Sequence, residues 1–406
     1  MVLKNFTTNN LILTSSMMGK FNGCAAIIRR QFPQAVPIHC FNHRLNLVLS
    51  KACEIREVKV ALQTMTEIHT FIYSSNMRNL RFSELVTKVV PTDRRKLVQL
   101  CPTRWVERHD AVNVFVELLP AVALFLEEET QHDGRAGILL AALREPKFLV
   151  GLLVVEAVFS HTVVPSKALQ SSTGDLAMAY TTVRSIQKVF EEYREDSKEH
   201  FGRIFHRVED LLGEVGSAHE KVTAPRTCSR LTQRSNVEAD SPEEYFRRSV
   251  FLPFLDFVIA ELDRRFGDDS VPIMFNAAEL MKGGNMDTEK YLEATDKREL
   301  ARAEAERWRL TAPSFKSLVE AHTHASERLF PIIKESLVKL ITLPVTNAEA
   351  ERSFSALKRL KTYLRSTMNQ ERLTGLAILA VHKDVHIDSK DIIERFALKN
   401  RKMMFV

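Results

Sequence analysis

Residues 343–382 read LPVTNAEAERSFSALKRLKTYLRSTMNQERLTGLAILAVH, and this stretch decides how the rest of the chain is understood. Thr346 and Glu349 stand three apart, the spacing of a capping box, and predict a helix running through about Tyr363. Its core face would be Ala350, Phe354, Leu357 and Leu360 or Lys361. A second helix is predicted to begin near Asn369. From Leu373 to Val381 it is apolar almost all round, through Leu376, Ala377, Ile378, Leu379 and Ala380. A helix with no polar face must be covered on every side, by its own domain or by another chain. Just upstream, 326–344 (SERLFPIIKESLVKLITLP) reads as a helix stopped by Pro344.

Working outward, almost every other segment is helical as well. A short strand at 36–39 (VPIH) precedes a helix through 44–52. Thr103 is placed to cap a helix carrying Val112, Phe115, Leu119, Val122 and Leu126, and helical patterns continue through 138–164 and 174–194. Residues 222–241 are polar and lack periodicity, which predicts a long surface loop. Ser241-Pro-Glu-Glu244 then combines a capping box with proline at the first helical position. Pro253 is expected to restart a helix on Leu255, Val258, Ile259, Leu262 and Phe266, and 267–300 to be irregular with short helices.

The 406 residues are 45% hydrophobic and 27% charged, with 13 glycines and 14 prolines, so a folded protein of two or three domains is expected. Five scattered cysteines (24, 40, 53, 101, 228) make no C-x2-C pair, which excludes a disulfide framework, a zinc ribbon or a zinc finger and points to a reducing compartment. The net charge of +6 is uneven: residues 1–53 hold six basic side chains and no carboxylate, the first acid being Glu54. The 345–406 end carries 12 basic and 7 acidic residues. Basic ends around an acidic middle permit contact with DNA without requiring it. No signal peptide opens the sequence. The most membrane-like run, 148–164 (FLVGLLVVEAVFSHTVV), has Glu156 near its centre and is read as a buried helix, so no membrane partner is expected.

Motifs with chemical potential are sparse. His39, Cys40 and His43 look like half a metal site but lack a second pair at finger spacing. His382 and His386 would share a face only if the helix persists that far, and no glutamate stands between them as in H-E-x-x-H. No phosphate loop, dinucleotide fingerprint or nucleophile elbow is present. Glu127-Glu128-Glu129 reads as a solvated helix terminus. No metal and no cofactor is expected.

Taken in order, SSMMGKFNG (15–23), HCFNHRLNLVL (39–49), CPTRW (101–105), SPEEYFRRSVFLPFLD (241–256) and the 343–379 stretch resemble the hAT superfamily of DNA transposases and their host-derived relatives. Within it they come nearest to the group that includes the zinc-finger MYM-type proteins. The resemblance spans nearly the whole chain. It implies a mainly α protein: a truncated ribonuclease-H-like α/β core (1–55), a large all-helical insertion domain (56–318) carrying the 222–241 loop, and a C-terminal dimerisation region (319–406) that completes the core. Glu351 matches the family's third catalytic carboxylate. The second belongs where this sequence has Ile12-Leu13-Thr14, and the first is expected upstream of residue 1, as is the family's zinc-binding DNA-recognition module.

Two-metal phosphoryl transfer needs converging carboxylates, and isoleucine offers no oxygen ligand. The expectation is therefore a transposase-derived protein that is no enzyme, with Glu351 vestigial, dimerising through Phe354, Leu357, Leu360, Leu373, Leu376, Ala377 and Ala380. Arg104-Trp105 is the candidate nucleic-acid contact, an indole platform beside a guanidinium; the alternative is that Trp105 is a buried helix-start anchor. A DNA-binding transcriptional regulator and a transposase fragment completed by carboxylates from elsewhere are the rival readings. Family resemblance implies a nuclear, domesticated transposon protein, with a homodimer as partner and DNA as a further one. Loss of the first strands is expected to leave the 36–39 strand without neighbours.

Overall fold

The computed structural model describes residues 11–12, 24–31, 37–38, 41–100, 105–169, 176–216, 222–224, 237–267, 272–282, 298–343, 355–361, 367–382 and 388–398. The chain divides into two compact units, Met1–Thr346 and Asn347–Val406.

The first unit opens with a small β-α-β pattern. Strand β1 (Leu11–Ile12) pairs in parallel with β2 (Pro37–Ile38), Leu11 opposite Pro37 and Ile12 opposite Ile38, and helix α1 (Cys24–Gln31) lies between them in sequence. The strand expected to lack neighbours therefore has one. The parallel register depends on the intervening helical crossover, since parallel strands cannot be joined by a tight turn.

Helices make up nearly all else in this unit. Helix α2 (Phe41–Ala52) leads into α3 (Arg56–Tyr73), α4 (Asn76–Val89), α5 (Trp105–Glu117), α6 (Leu119–Glu129), α7 (Gly134–Leu143) and α8 (Pro146–Leu169). Helix α8 is the run read as a possible membrane span. It is long and apolar enough to cross a bilayer, yet from Phe148 to Val155 every residue is buried, against α3, α5 and α10. Glycine is required where α3 crosses: a Cβ on Gly151 would lie 2.9 Å from the Glu57 carbonyl oxygen and 3.1 Å from the Ala61 Cβ. Backbone cannot yield as a flexible side chain can, so only hydrogen fits.

Helices α9 (Leu176–Glu195) and α10 (Ser197–Glu214) complete the wrapping of α8. Of the expected 222–241 loop, residues 222–224 and 237–241 are described, and Val222 is buried rather than at the surface. Helix α11 (Pro242–Phe246) starts as the sequence requires: Ser241 Oγ accepts from the Glu244 backbone N–H at 3.1 Å, and Glu244 reaches back to accept from Asp240 N–H at 3.2 Å. Pro253 does not restart the helix. The chain continues through a π turn (Arg247–Phe251), in which the Leu252 N–H bonds to the Arg247 carbonyl, straight into α12 (Leu252–Phe266). Widening the turn lets a ring without an N–H enter an unbroken rod. Leu255, Val258, Leu262 and Phe266 are buried on α12 as the periodicity predicts, and Ile259 is half-buried.

Helix α13 (Pro272–Lys282) lies in the 267–300 stretch expected to be irregular with short helices; it packs on α9 with Ala277, Ala278 and Leu280 buried. Helices α14 (Arg298–Thr311), α15 (Leu318–His324) and α16 (Pro331–Thr342) close the unit. The last is shorter than the 326–344 expectation because Ser326–Phe330 forms a turn before it.

Helix α2 is held to α12 by polar contacts as well as by its core. Arg44 donates to the Arg265 carbonyl at 2.8 Å, and Phe41 meets Phe266 with ring centroids 5.6 Å apart. Glu261 gathers Arg264 (2.7 Å), Arg265 (3.1 Å) and Lys51 of α2 (3.6 Å). Its carboxyl is held down to about 2, chiefly by the hydrogen bond from Arg264 and then by Arg265, from an ordinary value near 4.5. A depressed carboxylate contributes stability that is whole above its unfolded value and lost as pH falls through the folded one. Glu261→Gln should therefore reduce the melting temperature at neutral pH, and the difference from the parent should shrink between about pH 5 and pH 2. Thermal melts across that window, with an unchanging difference, would refute the assignment.

Candidate self-association surface

The second unit is built differently from the first. A short helix, α17 (355–360), is followed by α18 (Gln370–Val381) and α19 (Ser389–Ala397). Both later helices begin where their sequences provide a cap. Asn369 Oδ1 accepts from Arg372 N–H at 3.0 Å, and Asp388 Oδ1 accepts from Lys390 N–H at 2.9 Å. Among the described residues of this unit none is buried, although most of α18 is apolar.

The exposure is concentrated. Ile378 and Leu379 on α18 are 54% and 56% exposed, and Ile392 and Ile393 on α19 are 51% and 66% exposed. Of the residues expected at a dimer contact, Leu357, Leu360, Leu373, Leu376, Ala377 and Ala380 are half-buried. Phe354 and Glu351 lie outside the described residues, as does the Thr346–Glu349 capping box. Ile378 lies across α18 from Leu373 and Leu376, while Leu379 stands one turn beyond Leu376, a distribution that periodicity alone could not rank because the helix is apolar all round. Helix α18 stops at Val381 with His382 just beyond its end, and His386 lies outside the described residues.

Upstream, α16 has an unusual start. Its first helical position is Pro331, and Phe330 before it supplies no capping side chain. Glu304, wholly buried on α14, supplies the acceptor from outside the helix: its Oε2 receives the Ile332 N–H at 2.9 Å and the Ile333 N–H at 3.2 Å. Two orphan donors and the positive end of the helix are satisfied by one carboxylate. Around it Trp308 donates to the Leu280 carbonyl at 3.0 Å, stacks on Phe315 at 5.5 Å and meets Phe330 edge-on at 5.2 Å.

The remaining candidates lie in the helical body of the first unit. Trp105 opens α5, and Arg104 lies outside the described residues. Position 105 is one and two turns from His109 and Asn113, which line a cleft of about 450 Å3 with Glu156, Ser160, Arg203 and Arg207. Arg207 is committed to Glu156 through a forked pair, its Nη2 donating at 3.2 Å. Burial pushes the His109 imidazole below its usual value, and Lys167 adds to that while Asp110 opposes it. Glu127-Glu128-Glu129 is not simply solvated. Glu129 is 3% exposed and paired with Arg81 at 2.6 Å and Arg78 at 3.6 Å, tying α4 to α6. Both buried glutamates sit on apolar stripes, Leu119-Val122-Leu126-Glu129 and Ala301-Glu304-Ala305-Trp308. That spacing is the sequence signal that could have found them.

Among the described residues no group of three His, Cys, Asp or Glu is placed to hold a metal ion. His39 and Cys40 lie outside them. Cys53 is buried and its thiol is pushed up to about 12 by that burial, so it is inert.

Comparison with known proteins assigns a class to this C-terminal segment. Residues 318–385, from α15 to just beyond α18, match the hAT family C-terminal dimerisation region, and the resemblance read from the sequence is thereby borne out. The chain is also similar to the 52 kDa repressor of the inhibitor of the protein kinase of Mus musculus, 25% identical over 417 residues, covering 95% of this chain and 54% of the relative. The Homo sapiens protein of that name is 25% identical over 416 residues with the same coverage. The chain spans about half the length of these curated relatives.

Replacing Glu304 tests the start of α16, which lies inside the matched segment. Glu304→Ala leaves the Ile332 and Ile333 donors buried without an acceptor and should cost about 1–3 kcal/mol of stability. Glu304→Gln keeps an acceptor oxygen and should cost less. Urea unfolding midpoints for the two variants check the order, and equal losses would contradict the capping role.

Proposed function

We propose that this chain is a transposase-derived, catalytically silent protein whose working property is self-association through its C-terminal helices. One observation carries the reading: the matched dimerisation region contains α18, an apolar helix that leaves Ile378 and Leu379 open. Apolar surface of this kind gains stability only by being covered, at roughly 25 cal/mol per Å2 removed from water.

Silence at the catalytic centre is supported by what occupies β1. Ile12, in the stretch where the family resemblance expects an aspartate, pairs with Ile38 across the two-stranded sheet, and no carboxylate precedes Glu54. The parallel β1–α1–β2 pattern is compatible with part of a ribonuclease-H-like core. With no oxygen donor at Ile12, Glu351 would lack one of the carboxylates that position a metal pair.

A second reading, a nuclear DNA-binding regulator, is favoured by the cleft beside α5, where Arg203 and Arg207 stand with His109, and by the word repressor in the relatives' name. Arg104 and Trp105 are the contact residues that the family resemblance would add to this reading. The third reading, a fragment completed by carboxylates from a longer chain, requires cleavage to appear once these are supplied.

Light scattering of the full chain tests the principal reading. The parent should be a dimer, and Leu376→Asp should be a monomer. Because Leu376 is half-buried, Ile378→Asp/Leu379→Asp provides a surface variant that keeps the fold. A monomeric parent would remove the proposal. Incubation with supercoiled DNA and Mg2+ or Mn2+ over a salt series separates the other readings. The expected result is no nicked product, with any band shift weakening linearly in log K against log salt. Nicking that disappears in Glu351→Gln would overturn catalytic silence.

A further inference from the structure

Three half-buried aromatic side chains join α8, α9 and α10 toward the end of α8, where its own ladder is weakest. Pro165 has no N–H, so the His161 carbonyl one turn before it receives no bond from that position. The His161 ring faces α9. Its Nε2 lies 2.8 Å from the Tyr193 hydroxyl, and Phe190 stands at right angles to it with ring centroids 6.2 Å apart. Tyr193 in turn stacks on His200 of α10 at 3.8 Å, and Arg203 Nη2 donates to His200 Nδ1 at 3.0 Å. A guanidinium can only donate, so His200 Nδ1 is the bare nitrogen and the ring is neutral in this arrangement.

A proton added to His200 must enter where Arg203 already points, which sets two cations against each other. His161 is disfavoured as a cation first by burial, which holds its imidazole below the ordinary value, and then by charge on His200. Nearby carboxylates are engaged or in solvent. Glu156 of α8 is forked with Arg207, Glu199 of α10 is 3.7 Å from Arg203, and Glu192, Glu195 and Asp196 at the end of α9 are exposed. Arg194 of α9 is taken by Asp256 of α12, Glu279 of α13 pairs with Lys282, and Lys188 and Lys198 are exposed. On α5, His109 lines the cleft with Ser160, and Asp110 and Lys167 act on it in opposite directions. We propose that His161, Tyr193 and His200 form a proton-sensitive joint: neutral imidazoles hold α9 and α10 against α8, and charging them lets the three helices part. Arg203 and Ser160 also line the cleft beside α5, so opening the joint releases one wall of it. The contact is whole above the ordinary imidazole value of 6.5 and weakens as pH falls below it, because the opened form binds the proton more readily. The joint does not depend on self-association.

Hydrogen exchange of the full chain, read by mass spectrometry and corrected for the intrinsic pH dependence of amide exchange, tests it. Relative to the rest of the first unit, peptides spanning 186–204 should exchange about tenfold faster at about pH 5.5 than at about pH 7.5. His161→Gln/His200→Gln cannot charge and should remove most of that difference. Because the double variant disturbs packing as well as charge, NMR of ring-labelled histidine provides a second measurement on the parent. His161 should titrate below the ordinary 6.5, and His200→Gln alone should raise its midpoint. An exchange ratio that is the same at both pH values overturns the joint. So does a double variant that responds like the parent, or a His161 midpoint indifferent to the residue at position 200.

Discussion

Helix α8 sets the terms for the helical body of the first unit. Its apolar residues run round most of its circumference, so it is stable only when wrapped, and α3, α5 and α10 do the wrapping. Close approach of α3 requires hydrogen at Gly151, and closure on the other side requires Glu156 at the rim to be neutralised by Arg207. A carboxylate in the middle of an apolar helix would forbid complete burial; placed at the edge of the cleft it marks where the wrapping ends. The cleft beside α5 is the consequence, since His109, Ser160 and Arg203 line the same margin.

Much of this architecture was legible because it rests on local rules. The cap at Ser241, the cap at Asn369 and the buried stripe of α12 follow from residue type and spacing, and each stands as the sequence places it. What could not be read depends on partners distant in sequence. Nothing near Phe330 announces that its helix is capped from Glu304, and the apolar stripe that singles out Glu129 does not say that Arg81 and Arg78 are its partners. Pro253 misled for another reason. Proline reports only that one N–H is missing, and a π turn absorbs that loss as well as a break does. The partner of β2 was missed because a strand of two residues at Leu11–Ile12 is too short to show alternation.

The candidate surface was legible in kind and not in detail. An all-apolar helix at 373–381 announces a need for cover, but its uniformity hides which side is already half-covered within the unit. Ile378 and Leu379 emerge as the open side only once the backbone is in place. Helix α19 is the reverse case: its two faces are plain from SKDIIERFA, and the structure adds that the apolar one is open to solvent.

The two units thus meet the same physical demand in opposite ways. In the first, large side chains such as Trp308, Phe115 and Phe251 are removed from water by the chain itself. In the second, no described residue is buried, and a set of helices this small recovers little of the entropy lost on ordering them. Under the proposed self-association a second copy would cover the open apolar side chains of α18. Whatever binds the folded form and not the unfolded one stabilises it by mass action, so the proposed self-association would make folding of the C-terminal helices and association a single equilibrium. The open side chains on α18 and α19 and the helix caps at Asn369 and Asp388 owe nothing to metal ligands or to the residues that surround Ile12.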